Sequence, residues 1–210
     1  GGLFALCDEG RVILEGIELA DSVALDPHKT LFLPSGTGAV LVRDGRHLLA
    51  SFSSDAAYIE PLGDYGVGPS PADLSVELTR HFRALRLWLP LQLAGVAPFK
   101  AAQAEKLALA RYFYAHLKNI PGIEVGAPPD LSVVAFRYVP RAGDADVFNE
   151  RLLRQLVDEG RILLSGTRVD GVYLLRCAIL SFRTHIEHVD EAIEAIRDGI
   201  IALQKQATSI

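Results

Sequence analysis

Two apolar runs, Val23-Ala24-Leu25 and Leu31-Phe32-Leu33, are separated by Asp26, Pro27, His28 and Lys29. The first run reads as a buried strand, and the four residues between break the core pattern. A lysine flanked this way is expected to be partly desolvated. Desolvation lowers an ammonium pKa and frees the amine as a nucleophile. An amine in that state can hold a carbonyl group as a Schiff base. The residues alone leave a second reading open, a lysine that snorkels out at a strand end.

The chain has 210 residues, half of them hydrophobic, and a net charge of -5. That length suits one large domain or two small ones. The mildly acidic balance gives no electrostatic footprint for nucleic acid or an anionic membrane. No apolar run reaches the length of a bilayer span, and nothing at the start reads as a signal peptide. Cys7 and Cys177 fit no metal spacing and read as buried free thiols of a cytoplasmic protein.

Residues 3–16 are expected to form a short helix or turn. Leu31–Leu33 and Gly38–Arg43 are two apolar segments joined by Pro34-Ser35-Gly36-Thr37, a turn composition, and Asp44-Gly45 closes the second. The Ser-Gly-Thr-Gly run has two readings, a backbone cradle for phosphate and a plain hairpin turn. From Ser51 to Asp73 the pattern dissolves, with Pro61, Gly63, Gly66, Gly68, Pro69 and Pro71 close together. So long a stretch suggests a mobile functional loop. Leu74, Leu78, Phe82, Leu85 and Leu89 then form one helical stripe, with Asp73 as the expected N-cap and Arg80, Arg83 and Arg86 on another face.

Pro90 and Gly95–Pro98 break the chain, and a hinge is placed there. A long helix follows from about Phe99 to Asn119. Strands are expected at 123–125, 132–139, 162–169 and 172–180, the last two joined by Asp170-Gly171. Asp144 caps a helix over 145–159 that Gly160 closes. Thr184 and Glu187 suggest a capping box for the last helix. His185 and His188 have metal-ligand spacing, but a polar helix end is the preferred reading. Arg176 is expected to make a structural ion pair.

The order Asp26-Pro27-His28-Lys29 resembles the cofactor-binding segment of the group II pyridoxal-phosphate-dependent amino acid decarboxylases, the aromatic-L-amino-acid decarboxylase family. Arg80-His81-Phe82-Arg83-Ala84-Leu85-Arg86-Leu87-Trp88 is similar to a second segment of that family, and Leu175-Arg176 through His188-Val189 to a third. The resemblance implies an α/β fold of the fold type I pyridoxal-phosphate transferase kind. Residues 1–97 would be the end of the large-domain mixed sheet with the mobile loop, and 98–210 a small α/β domain. It implies α-decarboxylation of an L-amino acid, aromatic or related, by a cytoplasmic homodimer. An aldehyde synthase on the same scaffold and a non-catalytic fragment are the rival readings.

In site residues, the resemblance implies pyridoxal 5'-phosphate held by Lys29 as an internal aldimine. His28 would touch the phosphate, Asp26 would position the turn, and Arg83 would lie near the cofactor. Related enzymes have a loop tyrosine that protonates the substrate carbon, and Tyr65 is the candidate, with Tyr58 read as a loop anchor. The family's tyrosine position falls nearer Pro71, a departure from the pattern. The chain has no methionine and begins Gly1-Gly2, which matches residues just after a family strand. A carboxy-terminal piece is therefore expected. The aspartate for the pyridine nitrogen, the phosphate-binding glycine loop and the ring-stacking histidine would lie before Gly1.

Overall fold

The computed structural model describes residues 1–52 and 70–208. In chain order the helices are α1 (Asp8–Ile13), α2 (Pro27–Thr30), α3 (Arg46–Phe52), α4 (Ala84–Ala94), α5 (Ala97–Lys118), α6 (Ala145–Glu159) and α7 (Ile186–Thr208). The strands are β1 (Ser22–Leu25), β2 (Ala39–Val42), β3 (Ile123–Val125), β4 (Val133–Tyr138), β5 (Ser165–Val169) and β6 (Val172–Ala178). Two compact units result: Gly1–Leu3 with Leu14–Ala97, and Phe4–Ile13 with Pro98–Ile210.

In the first unit β1 pairs antiparallel with β2, Ser22 opposite Val42 and Leu25 opposite Ala39. The expected partner segment at Leu31–Leu33 is not a strand. Leu31 caps α2, and Phe32 takes φ 60, a left-handed conformation that a bulky residue rarely adopts. This reversal lets the Pro27 carbonyl accept from both the Leu31 and Leu33 amides, at 3.1 and 3.4 Å, and buries the two leucines. β1 is half-exposed rather than buried, and on β2 Val40 and Leu41 are 63% and 60% exposed. The two-stranded ribbon has too few neighbours among the described residues to cover its faces.

Two expectations downstream need correction. α3 follows the Asp44-Gly45 turn, where Arg46 forks onto the Asp44 carboxylate; nothing in the periodicity marked it. The stripe from Leu74 to Leu89 is not one helix. Pro71–Leu74 is a 3-10 turn capped by Ser70, with Asp73 as the returning member of a capping box, and α4 starts only at Ala84. Val76, Leu78 and Phe82 are exposed, so no burial rewards a helix there. Arg80 donates instead to the Pro71 carbonyl at 2.7 Å and to the Glu77 carbonyl. Pro90 does not break the chain but lies inside α4, which Gly95 ends. The expected loop over 51–73 falls mostly outside the described residues.

The second unit carries the main core. Its sheet has the order β3-β4-β6-β5, antiparallel throughout. Phe113, Leu117, Phe136, Leu152, Leu156, Leu175 and Ile196 are fully buried between this sheet and the helices. Each such side chain contributes roughly 1.5–3 kcal/mol. Asn149 on α6 clamps the end of β4, accepting from the Tyr138 amide at 2.8 Å and donating to the Tyr138 carbonyl at 2.7 Å. Asp144 caps α6 through the Val147 amide, and Gly160 ends it at φ 70. The Asp170-Gly171 hairpin forms with both residues at positive φ, as a tight two-residue turn requires.

α7 opens without the expected box. The His185 amide donates to His188 Nδ1 at 3.3 Å, so a histidine takes the place that glutamate fills in a capping box. His185 Nδ1 lies 2.7 Å from Glu105, which also holds Lys106. Arg176 meets the Ser165 hydroxyl at 3.4 Å, and no carboxylate among the described residues pairs with it. Cys7 and Cys177 are free thiols, and burial pushes Cys177 up to about 12.

Candidate active site

Lys29 sits on a single turn of helix between β1 and β2. Proline at the first helical position has its φ preset and has no amide to satisfy, so it starts the turn cheaply. Pro27 and Thr30, three apart, share the buried face. Lys29 therefore projects from the opposite side, and its side chain is 55% exposed. This corrects the expectation of a desolvated lysine: in this chain the amine is open to solvent.

Asp26 occupies the N-cap position but makes no side-chain cap. The Lys29 amide donates to the Asp26 carbonyl at 2.9 Å, and the Asp26 carboxylate is left to accept from Lys29 Nζ at 2.7 Å. That hydrogen bond holds the Asp26 carboxyl below the usual aspartate range, against a smaller opposing effect of burial. Asp26 is thus ionised at neutral pH and restrains the lysine head group without taking its proton.

His28 points the other way along the turn. Its Nδ1 lies 2.8 Å from the Thr37 carbonyl, which also accepts from the His28 amide at 3.4 Å. Thr37 is buried, and its hydroxyl donates to the Pro34 carbonyl at 3.0 Å, closing the turn in which Gly36 takes φ 82. Sequence reasoning read this stretch as a phosphate cradle or a plain turn and missed Thr37 as the residue that holds the histidine. The signal available was a small hydroxyl residue just before the second strand.

Of the expected residues, the structure brings Asp26, His28 and Lys29 together on one turn. Both terminal nitrogens of Arg83 pair with Glu77, at 2.5 and 3.1 Å. Arg83 shares no hydrogen bond or ion pair with the lysine turn among the described residues. The pair lowers the Glu77 carboxyl and raises the Arg83 guanidinium. Tyr58 and Tyr65 lie outside the described residues. An exposed primary amine, a fixed carboxylate and an imidazole with one nitrogen committed can capture an aldehyde and face an anion.

The chain is similar to known proteins. The pyridoxal-dependent decarboxylase conserved domain matches residues 1–139. An aromatic-L-amino-acid decarboxylase of Bacillus atrophaeus is 33% identical over 91% of this chain and 41% of its own length. The tryptophan decarboxylase TDC1 of Camptotheca acuminata is 33% identical over 98% of this chain and 42% of its own. The crystal structure of Oryza sativa TDC with PLP and tryptamine superposes with a TM-score of 0.87 at 29% identity, over 95% of this chain and 42% of that one. The chain spans about two fifths of the length of these relatives. With its α/β architecture, its lysine turn and a match across two thirds of its residues, the chain belongs to the pyridoxal-dependent decarboxylase family.

Proposed function

We propose that this chain carries the cofactor lysine of a pyridoxal-phosphate-dependent α-decarboxylase acting on an aromatic L-amino acid. The observation that carries the reading is the presentation of Lys29: an exposed amine held by Asp26 on a one-turn helix beside His28. The aromatic substrate class rests on the relatives, which are tryptophan, tyrosine and aromatic-L-amino-acid decarboxylases.

The residues fit the cofactor. Lys29 Nζ is within reach of an aldehyde and becomes a nucleophile on losing one proton to solvent. Asp26 Oδ2 orients that nitrogen along the turn and favours a cation in its place. His28 offers its second ring nitrogen to the phosphate. Bound there, pyridoxal phosphate would supply the electron sink for the pair left on Cα by decarboxylation. Tyr65 is assigned as the acid that returns a proton to Cα, and Arg83 as a residue near the cofactor, both on the family resemblance. On the same basis residues 1–97 belong to the large domain and 98–210 form the small one, in a cytoplasmic homodimer. No described helix is long and apolar enough to cross a membrane.

The test is Lys29→Ala in the full-length protein. We expect turnover and the visible absorbance of lysine-bound cofactor to be lost while the circular dichroism spectrum is unchanged. Retention of both signals in the variant would overturn the assignment.

A further inference from the structure

We propose that Thr37 is a positioning residue that fixes the protonation geometry of His28, so that Nε2 is the nitrogen offered to the cofactor phosphate. The inference rests on the proposed cofactor site, and its first step depends only on geometry. The Thr37 oxygen facing His28 Nδ1 at 2.8 Å is a backbone carbonyl. A carbonyl only accepts, so Nδ1 carries the hydrogen. In the neutral ring Nε2 then bears a lone pair and cannot donate to an anion. Only the doubly protonated ring donates from both sides.

Thr37 controls this through two contacts. Its carbonyl holds both the ring and the amide of His28. Its hydroxyl, bonded to the Pro34 carbonyl at 3.0 Å, fixes the direction of the peptide that carries that carbonyl. Thr37 is only 3% exposed, so no water competes for the bond. His28 Nε2 makes no hydrogen bond among the described residues and remains available to a ligand. Among the described residues, the charged groups on the ring's own turn are Asp26 and Lys29. The facing turn, residues 34–38, carries no charge.

Two consequences separate positioning from mere support. Phosphate affinity should depend on the doubly protonated ring, because only that form carries a donor proton on Nε2 while Nδ1 is committed to Thr37. Freeing the ring should flatten that dependence, since a neutral ring could then place its hydrogen on Nε2. The experiment compares wild type, Thr37→Val and Thr37→Ser in the full-length protein. It reads the His28 tautomer by nitrogen-15 NMR and pyridoxal phosphate affinity against pH by fluorescence.

We expect the Nδ1–H form in the wild type. Thr37→Val should show mixed tautomers, about three- to tenfold weaker binding at low pH, the size of one lost hydrogen bond, and a flatter profile. Thr37→Ser, which keeps the hydroxyl, should restore both. An Nε2–H ring in the wild type would overturn the proposal, and so would a Thr37→Val protein with unchanged tautomer and pH profile. If Thr37→Val fails to fold, the wild-type tautomer alone decides. These outcomes are independent of the lysine test: turnover by Lys29→Ala would remove the functional reading and leave the His28 tautomer as it is.

Discussion

At the scale of single residues, Lys29 is held at the surface of this chain, and the chemistry proposed for it depends on where Asp26 places its nitrogen. Its ammonium is exposed and paired with Asp26, an arrangement of small stabilising value that still fixes where the nitrogen sits. The proposed site would bind an aldehyde, and Asp26, held in its ionised form, cannot be the acid that serves Cα. A donor must come from elsewhere, and Tyr65 is the proposed one. A phenol can protonate the carbon left by decarboxylation before oxygen reaches it. Tyr65→Phe is expected to slow amine formation by about 10²-fold or more, the usual contribution of a positioned acid. Product should then divert to aldehyde, with ammonia and peroxide released as oxygen is reduced. Amine output equal to wild type would leave Tyr65 without this role.

At the scale of elements, the sequence was most legible where turn chemistry and packing agree. Asp144, Gly160 and Asp170-Gly171 each demand a particular backbone conformation, and α6 and the β5–β6 hairpin begin and end as those residues direct. The lysine turn was legible as a break between apolar runs. Its neighbourhood was not, because the left-handed Phe32 is a tertiary outcome that no pattern of three apolar residues announces. α4 was misjudged because a helical period has meaning only where the stripe is packed, and Phe82 is exposed. The polar stitch between α5 and the start of α7 was also invisible, since Glu105 and His185 are eighty residues apart. There Lys106, 1% exposed, is held by Glu105 at 2.9 Å and by the Thr184 carbonyl. Burial raises the Glu105 carboxyl, but His185 and Lys106 together bring it below its usual range. Its share of stability is therefore present above the ordinary glutamate pKa and lost as pH falls through the lowered one. Glu105→Gln strands a buried ammonium and should cost about 2–4 kcal/mol in urea unfolding at pH 7, whereas Lys106→Met, which removes the charge at similar volume, should cost under about 1.5 kcal/mol. Equal losses in the two variants would show that the pair is not what holds Lys106.

At the scale of the whole molecule, the two units differ in what holds them together. The cluster around Phe113, Phe136, Leu175 and Ile196 lies wholly in the second unit and ties four strands to α5, α6 and α7. The lysine unit buries Leu31 and Leu33 but leaves Val40, Leu41, Val76, Phe82, Trp88 and Leu93 exposed. Local opening free energy follows buried apolar contact, so the two should open independently and at different cost. Burying two or three more large side chains per element is worth roughly 3–9 kcal/mol, and each 1.4 kcal/mol is tenfold in the opening equilibrium. In the 210-residue chain expressed alone, hydrogen exchange at β4, β6 and the buried face of α5 is therefore expected to be at least about a hundredfold slower than at β1 and β2. Mass spectrometry of peptides covering residues 21–45 and 104–140 reads this directly. The lysine turn lies on the fast side of the division, so the covalent chemistry proposed for Lys29 would be carried by the more easily opened part of this chain. Exchange at β1 and β2 as slow as at β4 would mean that the ribbon gains protection from contacts beyond those its own unit provides.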